Sequence, residues 1–151
     1  DGKDKALGVR RMESLEELLQ ISSILSIHCP GTEETRRLFN AETISKLPQG
    51  AFLVNTARGT ITDPDAVVEA LASGHLAGAA IDVLPEEPPP EDAAFLKAWR
   101  DSSHPASTRL IINPHSAFYC EEGMDDMRIK GSENCRRAVL GEPLRNVVNG
   151  L

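Results

Sequence analysis

Short apolar runs alternate along the chain with stretches of helical periodicity. Each apolar run is only four or five residues long, which suits a strand better than a buried helix. The runs lack a polar face, as expected for strands that are covered on both sides in a parallel sheet. Alternation of such strands with helices is the pattern of consecutive βαβ units and predicts an α/β fold with a doubly wound parallel sheet. The predicted strands are residues 24–27, 51–55, 79–83 and 110–113.

Capping residues indicate where the helices between these strands begin. Ser14, Asn40 and Asp63 are residue types that cap helix N-termini, and a proline follows Asp63 at a position that tolerates it. The predicted helices cover residues 15–20, 41–47, 64–73 and 91–100. A longer helical stretch, 117–140, is expected to be broken or weakened near Gly123 and Gly131. Residues 1–4 are predicted to form a loop and residues 142–151 an extended tail.

Polar side chains follow all four predicted strands. In parallel sheets these positions meet at the carboxyl edge, where ligands of open α/β sheets bind. The sequence therefore predicts one binding rim, formed by Cys29, Pro30, Thr56, Ala57, Arg58, Asp82 and His115.

Composition narrows the function classes. The length of 151 residues suits one domain, and 40% hydrophobic and 26% charged residues are typical of a soluble globular protein. A net charge of −7 disfavours direct nucleic-acid binding. The apolar runs are too short to span a membrane, and the first residues carry no signal-peptide pattern.

Cysteine and histidine usage indicates a reducing compartment and no metal site. The three cysteines are widely spaced without a CxxC pair, which argues against structural disulfides. The four histidines are scattered and lack neighbours at metal-ligand spacing. We therefore expect a cytoplasmic protein with no bound metal.

The segment Val54-Asn55-Thr56-Ala57-Arg58-Gly59 resembles the strand-to-loop signature of the D-isomer-specific 2-hydroxyacid dehydrogenases. Further matches follow in order at 78–83, at Glu87-Pro88 and at 113–115, and the upstream loop 28–35 is similar too. The similarity covers nearly the whole chain. It implies a Rossmann-like cofactor domain, NAD as the cofactor, and reduction of a 2-keto acid to a D-2-hydroxy acid.

The resemblance assigns roles to individual residues. His115 would be the general acid, Glu87 would orient it, and Arg58 would hold the substrate carboxylate. Asp82 would bind the nicotinamide carboxamide. The other implied cofactor contacts are Cys29, Pro30, Gly31, Thr32, Thr35, Thr56, Ala57, Ser116, Ala117 and Phe118, together with Arg58 and His115.

Within the family the chain most closely resembles the C-terminal binding protein corepressors, although Phe118 stands where they carry a tryptophan. An alternative function is therefore an NAD(H)-sensing corepressor scaffold, with transcription-factor partners and a nuclear as well as a cytoplasmic location. Family likeness also implies a homodimer. Since the corepressors keep the three catalytic residue types, Arg58, Glu87 and His115 do not distinguish the two functions.

No GxGxxG motif occurs in the sequence. The resemblance then implies that residues 1–118 are a partial NAD-binding domain without its glycine-rich turn, and that 119–151 are a return helix and tail directed to a substrate domain that is not in the chain. On this expectation the chain is a fragment that is inactive alone. A truncated product without an independent role is the remaining alternative.

Overall fold

The computed structural model describes residues 2–147. The chain forms two compact units that divide after His115. Among the described residues, no helix is long and apolar enough to cross a membrane. Residues 2–147 also contain no group of three or more His, Cys, Asp or Glu side chains that could hold a metal ion.

The first unit is built on a four-stranded parallel sheet. Its strands are β1 (Ile24–Ile27), β2 (Ala51–Asn55), β3 (Leu76–Ile81) and β4 (Leu110–Ile112), in the order β1-β2-β3-β4. This confirms the predicted parallel α/β architecture, and β1 and β2 have the predicted bounds. The strand order advances in one direction, so the reversal of a doubly wound sheet does not occur among these four strands.

Strand β3 begins three residues before its predicted start and ends before Asp82. Leu76 is fully buried and pairs with Ala51, and the register shifts after this pair. The predicted start at Ala79 misses Leu76 because Gly78 interrupts the apolar run. Packing overrides the low strand propensity of that glycine, whose backbone lies close to the Phe52 ring.

Helices connect the strands, and their caps follow the sequence signals. Helix α2 (Leu15–Ile21) begins after Ser14, α3 (Ala41–Ile44) after Asn40 and α4 (Pro64–Ala72) after Asp63. Helix α3 is shorter than predicted, α5 (Ala94–Arg100) starts later than predicted, and a short 3-10 turn at Gly59–Ile61 was not predicted. The loop predicted for residues 1–4 is wrong at Lys3 and Asp4, which begin helix α1 (Lys3–Leu7).

Alternate strand residues point into a common core. Leu25, Leu53, Ala79 and Leu110 lie opposite one another across the sheet and are all buried. The helices contribute Leu19, Ile44, Val67, Leu71, Phe95 and Leu96 to the same core. On the other face, Ile24, Phe52 and Ile111 are 69%, 48% and 61% exposed. The helices of this unit therefore bury one face of the sheet.

The second unit contains helix α6 (Glu121–Leu140), which is continuous through Gly123 and Gly131. A break at these glycines, which the sequence left open, therefore does not occur. Two interior glycines cost roughly 2 kcal/mol against alanine, which a 20-residue helix with capped ends tolerates. Cys120 caps the N-terminus, and Gly141 closes the C-terminus with a φ of 68°. Residues 148–151 of the predicted tail lie outside the described part of the chain.

Candidate active site at the carboxyl edge of the sheet

Backbone hydrogen bonds that lie past the last strand residues link the carboxyl ends of β2, β3 and β4. The Asp82 N–H donates to the Asn55 carbonyl at 2.9 Å, and the His115 N–H donates to the Asp82 carbonyl at 2.8 Å. These bonds extend the β2–β3 and β3–β4 ladders past their last residues. They bring the polar ends of β2, β3 and β4 together at one edge, as the sequence predicted.

Asn55 organises the turn after β2. Its side chain is fully buried. The amide Nδ2 donates to the Arg58 carbonyl at 3.1 Å and to the Thr62 hydroxyl at 2.8 Å, while Oδ1 accepts from the Ala57 N–H at 3.0 Å. The turn is therefore held from inside by a single side chain whose donors and acceptor are all used.

Arg58 projects from this turn with an extended backbone and an exposed side chain. Its Nη1 donates to the Ala57 carbonyl at 2.6 Å. The aliphatic stem lies against Gly31, where an added Cβ would stand 3.1 Å from both Cβ and Cγ of Arg58. The loop after β1 and the turn after β2 are thus in contact at the residue that carries the guanidinium.

Glu87 bridges the loop after β3 and His115, which lies three residues beyond the end of β4. Its Oε2 lies 2.7 Å from His115 Nδ1, and its Oε1 accepts from the Leu84 N–H at 2.7 Å. These two bonds, first that from His115 and then that from Leu84, hold the pKa of the Glu87 carboxyl below its ordinary value of 4.5. The carboxylate is therefore charged at neutral pH and faces one nitrogen of the imidazole.

A cavity of about 190 Å³ brings the three side chains together. Arg58, Glu87 and His115 line it with Gly59, Thr60, Val83, Leu84 and Pro85. A cationic fork and an imidazole paired with a carboxylate thus face one small space. This arrangement can bind a carboxylate and donate a proton beside it.

The loop after β1 closes on itself through Thr35. The Thr35 hydroxyl donates to the Pro30 carbonyl at 2.7 Å and accepts from the Thr32 N–H at 2.8 Å. Cys29 is half-buried at the start of this loop. All predicted contacts in this loop, Cys29, Pro30, Gly31, Thr32 and Thr35, therefore lie in one ordered turn at the carboxyl end of β1.

Ser116, Ala117 and Phe118 belong to the second unit. The Phe118 ring meets Tyr119 edge-on, with centroids 6.2 Å apart and planes at 73°. Phe118 is 48% exposed. The predicted role of these three residues over a nicotinamide ring stays a prediction.

Several residues at this edge were not singled out from the sequence. Thr60 and Leu84 line the cavity, Asn55 holds the turn and Gly59 packs beneath it. A signal existed for Asn55, because a buried asparagine at a strand end often bonds the turn that follows. The Leu84 contact had no local signal, since a Pro-rich loop does not reveal which backbone N–H its acids will meet.

A parallel α/β sheet with polar residues at its carboxyl edge is typical of a nucleotide-binding domain. The family described as D-isomer specific 2-hydroxyacid dehydrogenase, NAD binding domain, matches residues 1–117. The chain belongs to this family.

Known dehydrogenases are similar to this chain in sequence and in structure. A D-lactate dehydrogenase of Treponema pallidum is 37% identical over 135 residues, covering 86% of this chain and 40% of the relative. A D-isomer specific 2-hydroxyacid dehydrogenase of Xanthobacter autotrophicus, solved with NADPH, is 36% identical with a TM-score of 0.72, covering 91% and 52% of the two chains. The holo D-mandelate dehydrogenase of Rhodotorula graminis has 28% identity and a TM-score of 0.80, covering 99% and 41%.

The chain spans about two fifths of the length of the curated relatives that it matches. Family membership implies a nicotinamide dinucleotide as the cofactor, and the residues at the carboxyl edge fit this group. Asp82, 4% exposed, supplies a carboxylate acceptor suited to a carboxamide N–H₂, and Thr56 presents an exposed hydroxyl at the end of β2.

Proposed function

We propose that this chain is the catalytic part of the cofactor domain in an NAD-dependent D-2-hydroxyacid dehydrogenase. The reaction is the reduction of a 2-keto acid to a 2-hydroxy acid. The observation that carries the proposal is the 2.7 Å contact between His115 Nδ1 and Glu87 Oε2 on a cavity that Arg58 also lines.

His115 is the proton donor in this proposal. Glu87 engages Nδ1, where a carboxylate stabilises the imidazolium, and the proposal assigns the proton transfer to Nε2. When the keto oxygen becomes an alkoxide, the Nε2 proton passes to it and neutral imidazole remains. In the reverse direction the same nitrogen removes the hydroxyl proton.

Arg58 binds the substrate carboxylate. A guanidinium is permanently charged and presents a planar fork that matches a carboxylate in two parallel hydrogen bonds. One of its nitrogens already donates to the Ala57 carbonyl, which limits the directions available to the others. Arg58 then fixes the keto carbon near His115 and favours the developing negative charge on its oxygen.

The cofactor, when bound, supplies the hydride that the keto carbon accepts. Asp82 and Thr56 would hold the nicotinamide side, and the loop of Cys29, Pro30, Gly31, Thr32 and Thr35 would line the adenosine and pyrophosphate side. Ala57 would border the nicotinamide ribose, and Ser116, Ala117 and Phe118 would close over the ring. NAD rather than NADP, and the division into a partial cofactor domain (1–118) and a return segment (119–151), belong to the same proposal.

The test follows NADH oxidation by the product of the complete gene with a panel of 2-keto acids. His115→Ala is expected to lower kcat/KM by roughly a hundredfold or more, the contribution of a general acid. His104→Ala is the matched control. His104 lies in the loop between α5 and β4, where its Nδ1 accepts a hydrogen bond from the Ala106 N–H at 3.2 Å. Equal loss in both variants would contradict the proposal.

The corepressor function stays a prediction, and it would give a different result in the same assay. Tight NADH binding without turnover of any 2-keto acid, in wild type as in His115→Ala, would speak for a nucleotide-sensing scaffold. Binding of transcription-factor partners would then be the next measurement. The predicted homodimer is checked on the same protein by sedimentation with and without NADH.

A further inference from the structure

We propose that Gly59 and Asn55 are positioning residues that hold Arg58 in register with the Glu87–His115 pair. Gly59 does so through a direct contact between the turn at residues 56–62, here called the Arg58 turn, and the backbone of Leu84 and Pro85. This inference rests on the proposed function, because it assigns Arg58, Glu87 and His115 to one reaction.

Gly59 lies against the backbone that anchors Glu87. A Cβ added at Gly59 would stand 1.9 Å from the Leu84 carbonyl carbon, 2.0 Å from its oxygen and 2.5 Å from the Pro85 nitrogen. These are backbone atoms that no rotamer change can move aside. Gly59 has no left-handed φ, so the requirement for glycine here is steric.

Leu84 connects the Gly59 contact to the Glu87–His115 pair. Leu84 is the residue whose N–H donates to Glu87 Oε1, and Glu87 Oε2 faces His115. Any side chain at position 59 must push the Leu84–Pro85 backbone away from the Arg58 turn. That displacement separates Arg58 from Glu87 and His115 and disturbs the donor that Leu84 offers.

Asn55 fixes the same turn through side-chain hydrogen bonds. Its buried side chain bonds the Arg58 carbonyl, the Ala57 N–H and the Thr62 hydroxyl. Loss of this side chain removes these three bonds from the Arg58 turn but adds no steric clash. Asn55 and Gly59 therefore act on Arg58 by two independent physical means.

The first test needs no turnover and uses NMR titration of the Glu87 carboxyl in the 151-residue chain. Gly59→Ala is expected to return the pKa of Glu87 toward its ordinary value, because the Leu84 N–H moves. Gly78→Ala is the matched control: Gly78 is also buried, but it lies in β3 and its added Cβ would meet the Phe52 ring at 3.0 Å, not backbone. An unchanged Glu87 pKa in a folded Gly59→Ala protein overturns the role of Gly59.

The second test is a double-mutant cycle for 2-keto acid reduction by the complete gene product. Gly59→Ala and Asn55→Ala are each expected to lower kcat/KM by about tenfold or more, since displacement of a binding group by 1 Å can cost a hundredfold. In an Arg58→Ala background Asn55→Ala should cost less than about twofold, because no guanidinium remains to be positioned. Gly59→Ala should keep only the smaller part of its cost that acts through the Leu84 N–H and Glu87. Equal costs in both backgrounds would assign the two residues a general structural role and overturn the proposal.

Folding is checked by far-UV circular dichroism for every variant. If Gly59→Ala does not fold, the cycle with Asn55→Ala decides the question. If neither folds, both residues serve folding and the positioning proposal is wrong. If wild type reduces no 2-keto acid, the proposed function fails, and the Glu87 titration still decides whether Gly59 couples the two loops.

Discussion

His115 has a backbone φ of 51°, in the left-handed region that most side chains avoid. That conformation costs an ordinary residue roughly 1–2 kcal/mol. The surrounding structure maintains it through the His115 N–H bond to Asp82 and the side-chain contact with Glu87. Strain at a residue with a proposed chemical role is common, because function and not stability selects the conformation.

This strain gives a direct prediction. His115→Gly and His115→Ala both remove the imidazole, but only alanine keeps a Cβ in the left-handed region. We expect the glycine variant to be more stable than the alanine variant by about 1 kcal/mol, measured by urea unfolding. Equal stabilities would show that the backbone relaxes when the ring is lost.

The depressed pKa of Glu87 predicts a pH dependence of stability. Because its pKa in the folded protein lies below the ordinary value of 4.5, the stabilisation is present above that value and is lost as pH falls through the folded pKa. We expect thermal unfolding of wild type and Glu87→Gln to differ most near neutral pH and to converge in acid. A difference that grows on acidification would contradict this assignment.

A separate measurement identifies which hydrogen-bond partner lowers the Glu87 pKa. The contact with His115 is the largest cause of the lowered pKa, and the Leu84 N–H is the next. His115→Gly should therefore raise the Glu87 pKa part of the way toward its ordinary value, as followed by carboxyl NMR. A full return would mean that the Leu84 bond depends on His115.

Family resemblance named Arg58, Glu87 and His115, and all three line one cavity, while their chemical roles stay predictions. The roles of Asn55 and Gly59 could not be predicted in the same way, since each depends on contacts across the chain that no local pattern encodes.

At the scale of elements, the predicted bounds hold for β1 and β2 but not for β3, β4 or several helices. β1 and β2 stand at the predicted residues because turn residues bound them on both sides. β3 and α5 are displaced because their limits depend on pairing with Ala51 and on the Pro-rich loop. Propensity describes a residue in isolation, whereas the observed bounds reflect its neighbours.

Helix α6 offers a matched pair of glycines. An alanine Cβ at Gly131 would meet nothing within 4 Å, whereas at Gly123 it would stand 2.8 Å from the Phe118 carbonyl oxygen. Gly131→Ala should therefore stabilise the helix by about 0.5–1 kcal/mol, and Gly123→Ala should not. Helical circular dichroism during thermal unfolding compares them, and similar gains in both would contradict the steric argument.

For the whole molecule, the exposed apolar side chains of the sheet have a consequence in solution. Ile24, Phe52 and Ile111 lie on one face of the sheet and are largely exposed among the described residues. Large exposed apolar patches favour association. The 151-residue chain is expected to self-associate as its concentration rises, and Phe52→Ser should reduce this in sedimentation velocity. Val139→Ser, at an exposed position in α6, is the control that should have no such effect.

The parallel strands, ordered in one direction, also place the loops that enter them and the proposed site at opposite edges of the sheet. The entering loops can therefore vary where the site cannot. Every crossover enters its next strand at the amino edge, while the proposed chemistry stands at the carboxyl edge. The loop between α5 and β4 is one such entry, and Ser102 and Ser103 are exposed there. Doubling the length of a flexible loop costs only about 0.6 kcal/mol. A peptide tag or fluorescent reporter inserted between these two serines is therefore a means of labelling the protein without touching its reactive end.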